Sequence, residues 1–352
     1  MVSFILENGG ELINFPVITD KEHSQFNPSV CSYNNKLVYS IRVSDYQYGY
    51  INNSSCIIKN SNDNKIDSSL LLFDDISKMN NTAPIIYSNS HEIDNTLMTG
   101  IEDVRLFTKG GELYCQGTVA GPLNTLDIQI FKVNNKLSDI EQISDIHLYN
   151  MEKNWMYIPT EDEMFKFIYW FDKEIIEIRG NEYNIREYSN NKFSKLKGSS
   201  KLVPYKDGYL TLVHSSEYVN LPFGYNTGLN YNEYLVYLDK DLQVKQISDK
   251  FKLSKIINIE FSPGLEIIDN IVYISFSVYD SIPFILKFDI KLIDYILNNN
   301  ILVNNEINDN EYTHLLTSKW IDSLYYESFF ERTGNLAASK CFEYINKNKR
   351  NK

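Results

Sequence analysis

Cysteine is scarce in this chain of 352 residues: Cys31, Cys56, Cys115 and Cys341 are its whole complement, and none stands in a C-x-x-C pair. That excludes a disulfide framework and fits a reducing compartment. Long apolar runs are also missing, and nothing approaches the roughly 18 apolar residues of a membrane span. Positive charge is in deficit, with Lys+Arg 34 against Asp+Glu 46 and a formal net charge of −12. A chain this acidic does not neutralise phosphates generically, so nucleic acid and anionic membrane surfaces are poor partners. His23, His91, His147, His214 and His314 lie far apart, without a second His or Cys at ligand spacing, and no metal site is expected. The absence of G-x-x-x-x-G-K-[ST], G-x-G-x-x-G and G-x-S-x-G patterns speaks against P-loop, Rossmann and nucleophile-elbow sites, and no cofactor is expected. Residues 1–10 lack the basic flank and apolar run of a secretory leader, so a cytoplasmic protein is expected.

What is present is β-forming. Hydrophobic residues make up 43 % of the chain, charged ones 23 % and aromatics 14 %, with Tyr 26 and Phe 19. Five segments read as strand, tight polar turn, strand, each with β-branched or aromatic alternation around Gly, Asn or Asp. They run from Val30 to Ile41, Val104 to Gln116, Met156 to Tyr169, Lys201 to Val213 and Leu265 to Ser275. Their turns, near 35, 110, 162, 207 and 269, are spaced by about 75, 52, 45 and 62 residues. Those intervals match propeller blades with loop insertions. The pattern predicts an all-β, five-bladed β-propeller over residues 1–289. The competing reading is a multi-sheet β-protein with unrelated hairpins.

Two regions fall outside the repeat. Residues 51–70, rich in Asn, Ser and Asp, read as a long loop. From about Ile290 apolar residues recur at three- and four-residue steps, first over Ile290–Leu297, then Trp320–Phe330 and Leu336–Ile345. Residues 290–352 are therefore expected to form a helical C-terminal appendage packed on the propeller.

The sharpest local feature is Gly100-Ile-Glu-Asp-Val-Arg105. A glycine lets the backbone turn, and two carboxylates and a guanidinium follow at the mouth of a strand. Strand alternation predicts that Glu102 and Asp103 point to opposite faces, and that Asp103 shares its face with Arg105, which lowers its pKa. A buried Asp–Arg pair closing a blade is the competing reading. Similar polar pieces mark the other hairpins in order: Phe26-Asn-Pro-Ser29 with Arg42, Glu152-Lys-Asn-Trp-Met156, Gly198-Ser-Ser-Lys201 with His214, and Ile259-Glu-Phe-Ser-Pro-Gly-Leu265 with Asp280.

Taken together these pieces resemble glycoside hydrolase family 130, the β-mannoside phosphorylases and hydrolases, and the related β-1,2-mannosyltransferases of glycosyltransferase family 108. The resemblance runs from about Phe26 to Asp280. It implies a five-bladed propeller with an axial active site, in agreement with the hairpin count. The family's Glu-Asp-Pro-Arg motif looks like Glu102-Asp-Val-Arg105, with Val104 in place of proline, and its catalytic aspartate falls on Asp103. Its Asn-Ser and strand-end Arg fall on Asn27, Ser29 and Arg42, its strand-end His on His214, and its final sugar-binding Asp on Asp280. A second departure is that Thr160-Glu161 follows Pro159, where the phosphorylases carry a basic pair for phosphate.

The resemblance implies inverting glycosyl transfer on a mannoside-like sugar, with Asp103 as acid/base. The donor is a nucleotide sugar or a sugar 1-phosphate, and the acceptor is a carbohydrate. Arg42, Arg105, Lys153, Lys201 and His214 are the candidate anion-binding cations, and Asn27, Ser29, Glu102, Asn154, Glu260 and Asp280 complete the candidate substrate site. Thr160-Glu161 tilts the reading from phosphorylase toward glycosyltransferase. An inverting hydrolase is the third option, and needs a second carboxylate as base, for which Glu260 or Glu102 are candidates. Trp155, Tyr157 and Tyr279 are candidate sugar-stacking walls, with core packing the stronger reading for each. A non-catalytic propeller that binds a glycan or a protein is the alternative from another class.

Overall fold

In the computed structural model the chain is described over residues 1–299, apart from 17–22, 52–53, 60–64, 123, 170, 172, 188–192, 194, 220–227, 254–258, 279 and 281. The five predicted hairpins are all present. Each forms two inner, antiparallel strands of one sheet, and the five sheets are the blades of a β-propeller. The hairpins pair Ser24–Tyr33 with Lys36–Ser44, Glu102–Lys109 with Glu112–Gly121, and Met156–Ile158 with Phe165–Tyr169. Blades 4 and 5 pair Val203–Tyr205 with Gly208–Val219 and Glu260–Ile268 with Ile271–Val278.

The turns explain why these segments fold back. Asn34 and Asn35, Gly110 and Gly111, and Asp269 and Asn270 all have positive φ, between 50° and 78°. Two consecutive left-handed residues are what a two-residue turn needs to match the right-handed twist of the strands, and Asn, Asp and Gly tolerate that backbone best. Apolar side chains from adjacent blades then meet in five separate cores. Leu106 and Leu72 belong to the core between blades 1 and 2, Phe107 and Phe167 to that between 2 and 3, Ile168 and Val213 to 3 and 4, Leu212 and Phe276 to 4 and 5, and Ile41 and Ile285 to 5 and 1.

The ring is closed by a strand that the sequence reading did not assign. Glu11–Asn14 pairs antiparallel with Ile282–Asp289, so the outer strand of blade 5 comes from the beginning of the chain. A short helix, Val2–Glu7, precedes it and packs with the helix Lys291–Asn299. Phe4 stacks on Tyr295 with ring centroids 5.2 Å apart, and Ile293 and Ile296 are buried in the core between blades 4 and 5. Of the expected C-terminal appendage this one helix is described; the segments Trp320–Phe330 and Leu336–Ile345 lie outside the described residues.

Residues 51–70 are not a single loop. A hairpin of Tyr46–Ile51 and Ser54–Lys59 leads into Lys65–Phe73, the third strand of blade 1. Alternate residues of that strand, Ile66, Ser68 and Leu70, are buried, and the polar residues between them disguise it in the sequence.

Candidate active site

A single irregularity recurs in blades 1, 2 and 5 and positions the site. In each, two residues of the innermost strand oppose one residue of the second: Asn27-Pro28 opposite Ile41, Asp103-Val104 opposite Gly117, and Ser262-Pro263 opposite Phe276. Such a bulge redirects a side chain and is common beside active sites. Left-handed backbone marks the same end of the blades, at Asn27 (φ 51°), Asp103 (φ 51°), Asn154 (φ 66°) and Asp280 (φ 46°). Non-glycine residues rarely hold this conformation unless their surroundings enforce it, and Asn and Asp resist it least. Gly100, at φ 86°, completes the approach to blade 2, and a Cβ there would lie 1.8 Å from the carbonyl oxygen of Ser68.

The bulge overturns the expected alternation of Glu102 and Asp103. Both carboxylates reach the guanidinium of Arg42: Glu102 Oε1 pairs with Nη2, and Asp103 Oδ1 lies 3.6 Å from Nη1. It also accounts for Val104. Proline stands at the second bulge position in blades 1 and 5, where a bulge tolerates it, and Val104 fills the corresponding place in blade 2. Val104→Pro is therefore expected to change folding stability by no more than about 1 kcal/mol in either direction. Equilibrium denaturation checks this, and a loss several times larger would show that the bulges are not equivalent.

Around Asp103 the hydrogen bonds are specific. Asn27 Nδ2 donates to Asp103 Oδ1 at 2.7 Å, and Asn27 is itself fixed by the Ser277 hydroxyl, which donates to its Oδ1 at 2.5 Å. Arg42 is 2 % exposed, donates from Nε to Ser68 Oγ at 3.1 Å, and lies over the Phe26 ring at 4.9 Å. Arg105 spans three blades. It donates to the Asp103 carbonyl at 3.2 Å, Asn154 Oδ1 at 2.9 Å and the Ser199 carbonyl at 2.7 Å, with Phe261 5.1 Å below it. The side chain of Asp103 keeps 17 % exposure amid these buried partners.

The electrostatics divide the two aspartates. Burial opposes the charge on Asp103, but Lys153, Arg42, Arg105 and the Asn27 hydrogen bond outweigh it and hold the carboxyl below its ordinary range. Asp280 feels burial first and then the negative charge of Asp103, and is pushed up to about 7. The two carboxyls are thus pushed in opposite directions, Asp103 toward its ionised form and Asp280 toward its protonated one, a pattern that proton-transfer sites share. His214 is buried and pushed down to about 3 by desolvation, Lys197 and Arg105, so its imidazole is neutral.

Asp103, Asn27, Arg42, Glu102, Arg105 and Asn154 form one bonded cluster, while Lys153, His214 and Asp280 act on Asp103 or are acted on by it through charge. Three expected site residues are used elsewhere. Lys201 is 6 % exposed, and its ammonium lies 2.8 Å from Glu266 in a buried pair that ties blade 4 to blade 5. Glu260 is fully buried and its Oε2 accepts from the Leu253 amide at 2.7 Å, which does not suit a base that activates water. Ser29 accepts from the Leu106 amide at 3.0 Å and joins blade 1 to blade 2. Trp155 and Tyr157 are core residues, and Tyr157 stacks on Phe107 at 4.0 Å; Tyr279 lies outside the described residues. Thr160 sits in the turn of blade 3, where its carbonyl and hydroxyl accept from Lys109 at 3.3 and 3.2 Å. That turn is at the opposite end of the strand from Asn154, so Thr160-Glu161 says nothing about charge around Asp103.

Sequence reasoning missed Ser68, Ser277, Ser199 and Glu233, which support the cluster from behind. Strand alternation was the available signal for Glu233, which sits directly across from His214 in the register of blade 4.

No family model matches the sequence, and no curated protein matches it either. Among solved structures the chain is similar to a β-1,2-mannobiose phosphorylase from Listeria innocua, at a TM-score of 0.55 and 12 % identity over 82 % of this chain and 93 % of that one. It is similar to a mannose phosphorylase from Leishmania mexicana in complex with phosphate ion, at 0.50 and 11 % over 84 % and 93 %. A third similar structure comes from work on glycoside hydrolases of family 130 that target β-1,2 mannosidic linkages in Candida mannan, at 0.51 and 13 % over 76 % and 85 %. At these identities the likeness is one of fold: the chain has the five-bladed propeller architecture of the family 130 mannoside enzymes.

Proposed function

We propose that the protein is a carbohydrate-active enzyme that performs inverting glycosyl transfer on a mannoside-like sugar, with Asp103 as its acid/base. The observation that carries this reading is the placement of Asp103. Its partly exposed carboxylate is held by Asn27 and Arg42, with the charges of Arg105 and Lys153 close by. The family 130 architecture and the mannoside-processing proteins that share it support the choice of sugar.

Forming a glycosidic bond needs a base for the acceptor hydroxyl and an anionic leaving group on the opposite face of the ring. Asp103 is held in its ionised form, which is the form that takes the acceptor proton. The acceptor oxygen bonds to the anomeric carbon as the bond to the donor phosphate breaks, and the electron pair leaves with the phosphate. Arg42 and Arg105 are buried and keep Asp103 ionised, and Lys153, exposed nearby, is the cation available to an anionic leaving group. Phosphorolysis is the same step reversed, with protonated Asp103 giving its proton to the bridging oxygen.

The test is a product assay with mannose as acceptor and either a nucleotide-diphosphate mannose or mannose 1-phosphate as donor. Release of nucleotide diphosphate identifies a glycosyltransferase, and release of inorganic phosphate identifies a phosphorylase. Retained sugar binding without turnover of either donor would replace the proposal with a glycan-binding propeller.

A further inference from the structure

Behind the cluster lies a buried chain of three polar side chains that the chemistry above does not use. His214 Nδ1 is 2.8 Å from Ser199 Oγ, and the same oxygen is 3.1 Å from Glu233 Oε2. His214, Ser199 and Glu233 are 1 %, 0 % and 0 % exposed. The imidazole is fixed in orientation by Tyr231, stacked at 4.9 Å and 6° from parallel, and by Phe261, edge-on at 5.9 Å. Glu233 Oε1 and the Ser262 hydroxyl have no hydrogen-bond partner by distance and angle among the described residues, yet the hydroxyl lies close enough to favour the charged carboxylate.

A serine hydroxyl has one proton, so Ser199 cannot donate to both neighbours. If Glu233 is ionised, Ser199 donates to it and must accept from Nδ1–H, which leaves Nε2 as a bare lone pair. If Glu233 carries its proton on Oε2, it donates to Ser199, Ser199 donates to Nδ1, and the proton of the neutral ring sits on Nε2. We infer that Glu233 acts through Ser199 as a positioning residue that sets the tautomer of His214, and so decides whether Nε2 is presented as a donor or as an acceptor. In the donor form His214 offers an uncharged N–H to an anionic oxygen of the donor substrate; this consequence, unlike the tautomer coupling itself, rests on the function proposed above.

The surroundings fix the direction. Glu233 is flanked by Glu260 and Lys252, and His214 by Lys197, Arg105 and Asp103. Burial above all, with the repulsion from Glu260, pushes the Glu233 carboxyl up to about 8 against the pull of the Ser262 and Ser199 hydroxyls. The Ser262 and Ser199 hydroxyls favour the ionised carboxylate, but the cost of burying its charge outweighs them. Near neutrality the donor form of His214 is therefore the populated one, and it gives way to the acceptor form as Glu233 ionises above pH 8.

The experiment uses the full chain with ¹⁵N-labelled histidine, whose five imidazoles are few enough to resolve in long-range ¹H–¹⁵N spectra. Wild type is expected to show His214 protonated on Nε2 at pH 6.5 and on Nδ1 at pH 9.5. Glu233→Gln, which keeps the shape and cannot ionise, is expected to show one tautomer at both values. An unchanged His214 tautomer in wild type across that range, or a change that persists in Glu233→Gln, overturns the inference. Measured in parallel, KM for mannose 1-phosphate is expected to rise about tenfold in wild type between pH 7 and 9.5 with kcat moving less, and to stay flat in Glu233→Gln. Absent turnover with the tautomer change intact would count against the proposed function alone, and turnover with a fixed tautomer against this inference alone.

Discussion

Asp103→Asn is expected to lower turnover by about a thousand- to ten-thousand-fold while leaving sugar affinity within a few-fold of wild type. The magnitude is at the upper end of what a positioned acid or base supplies. The replacement is close to isosteric. Asn27 Nδ2 can still donate to the amide oxygen at position 103, and Arg42 keeps its pair with Glu102. The cluster therefore stands while the proton acceptor is lost. Steady-state rates with the active donor, together with calorimetric binding of mannose, separate the outcomes. A variant that turns over at the wild-type rate would remove Asp103 from the chemistry, and one that loses sugar binding altogether would make the residue a ligand rather than a base.

The largest stability effect is expected at Arg42. Replacing it with Met leaves the carboxylate of Glu102, 7 % exposed, buried without its cation. Breaking a buried pair in this way costs about 3–5 kcal/mol, most of it for the charge left behind. The double replacement Arg42→Met with Glu102→Gln removes that charge and is expected to recover more than half of the loss. Denaturant melts of wild type, the two single variants and the double variant form a cycle that isolates the coupling. A coupling energy near zero would mean that Arg42 stabilises the protein through its packing over Phe26 rather than through Glu102. Arg42→Met and the double variant should both be inactive, because Asp103 loses that guanidinium, whereas Glu102→Gln retains it.

Much of the propeller was legible in the sequence because each blade is built around a local event. An Asn-Asn, Gly-Gly or Asp-Asn turn between alternating strands is specified within about a dozen residues in blades 1, 2 and 5, and the polar turns at 159–164 and Lys206-Asp207 do the same in blades 3 and 4. The closing strand Glu11–Asn14 was not legible, because its partner lies some 270 positions away and a four-residue strand carries little pattern of its own. Residues 51–70 failed for a related reason. Ser68 is buried there as a hydrogen-bond partner of Arg42, and a polar residue facing a polar core reads like loop.

For the site, residue types and their order pointed to Asn27, Arg42, Glu102, Asp103, Arg105 and Asn154. Their roles relative to one another were not readable, because the extra residue in each bulge breaks the two-residue period on which strand reasoning depends. Lys201, Glu260 and Ser29 show the complementary error: a polar side chain at a strand end was taken to face the axis, and each instead satisfies a buried partner in a neighbouring blade. By itself the sequence determined the hairpins, their number and the charged residues at one end of the inner strands, since turn chemistry and alternation act over a few residues. Only the tertiary structure decided which of those charges meet. That choice depends on three bulges and on blades brought together from opposite ends of the chain, and neither leaves a local trace.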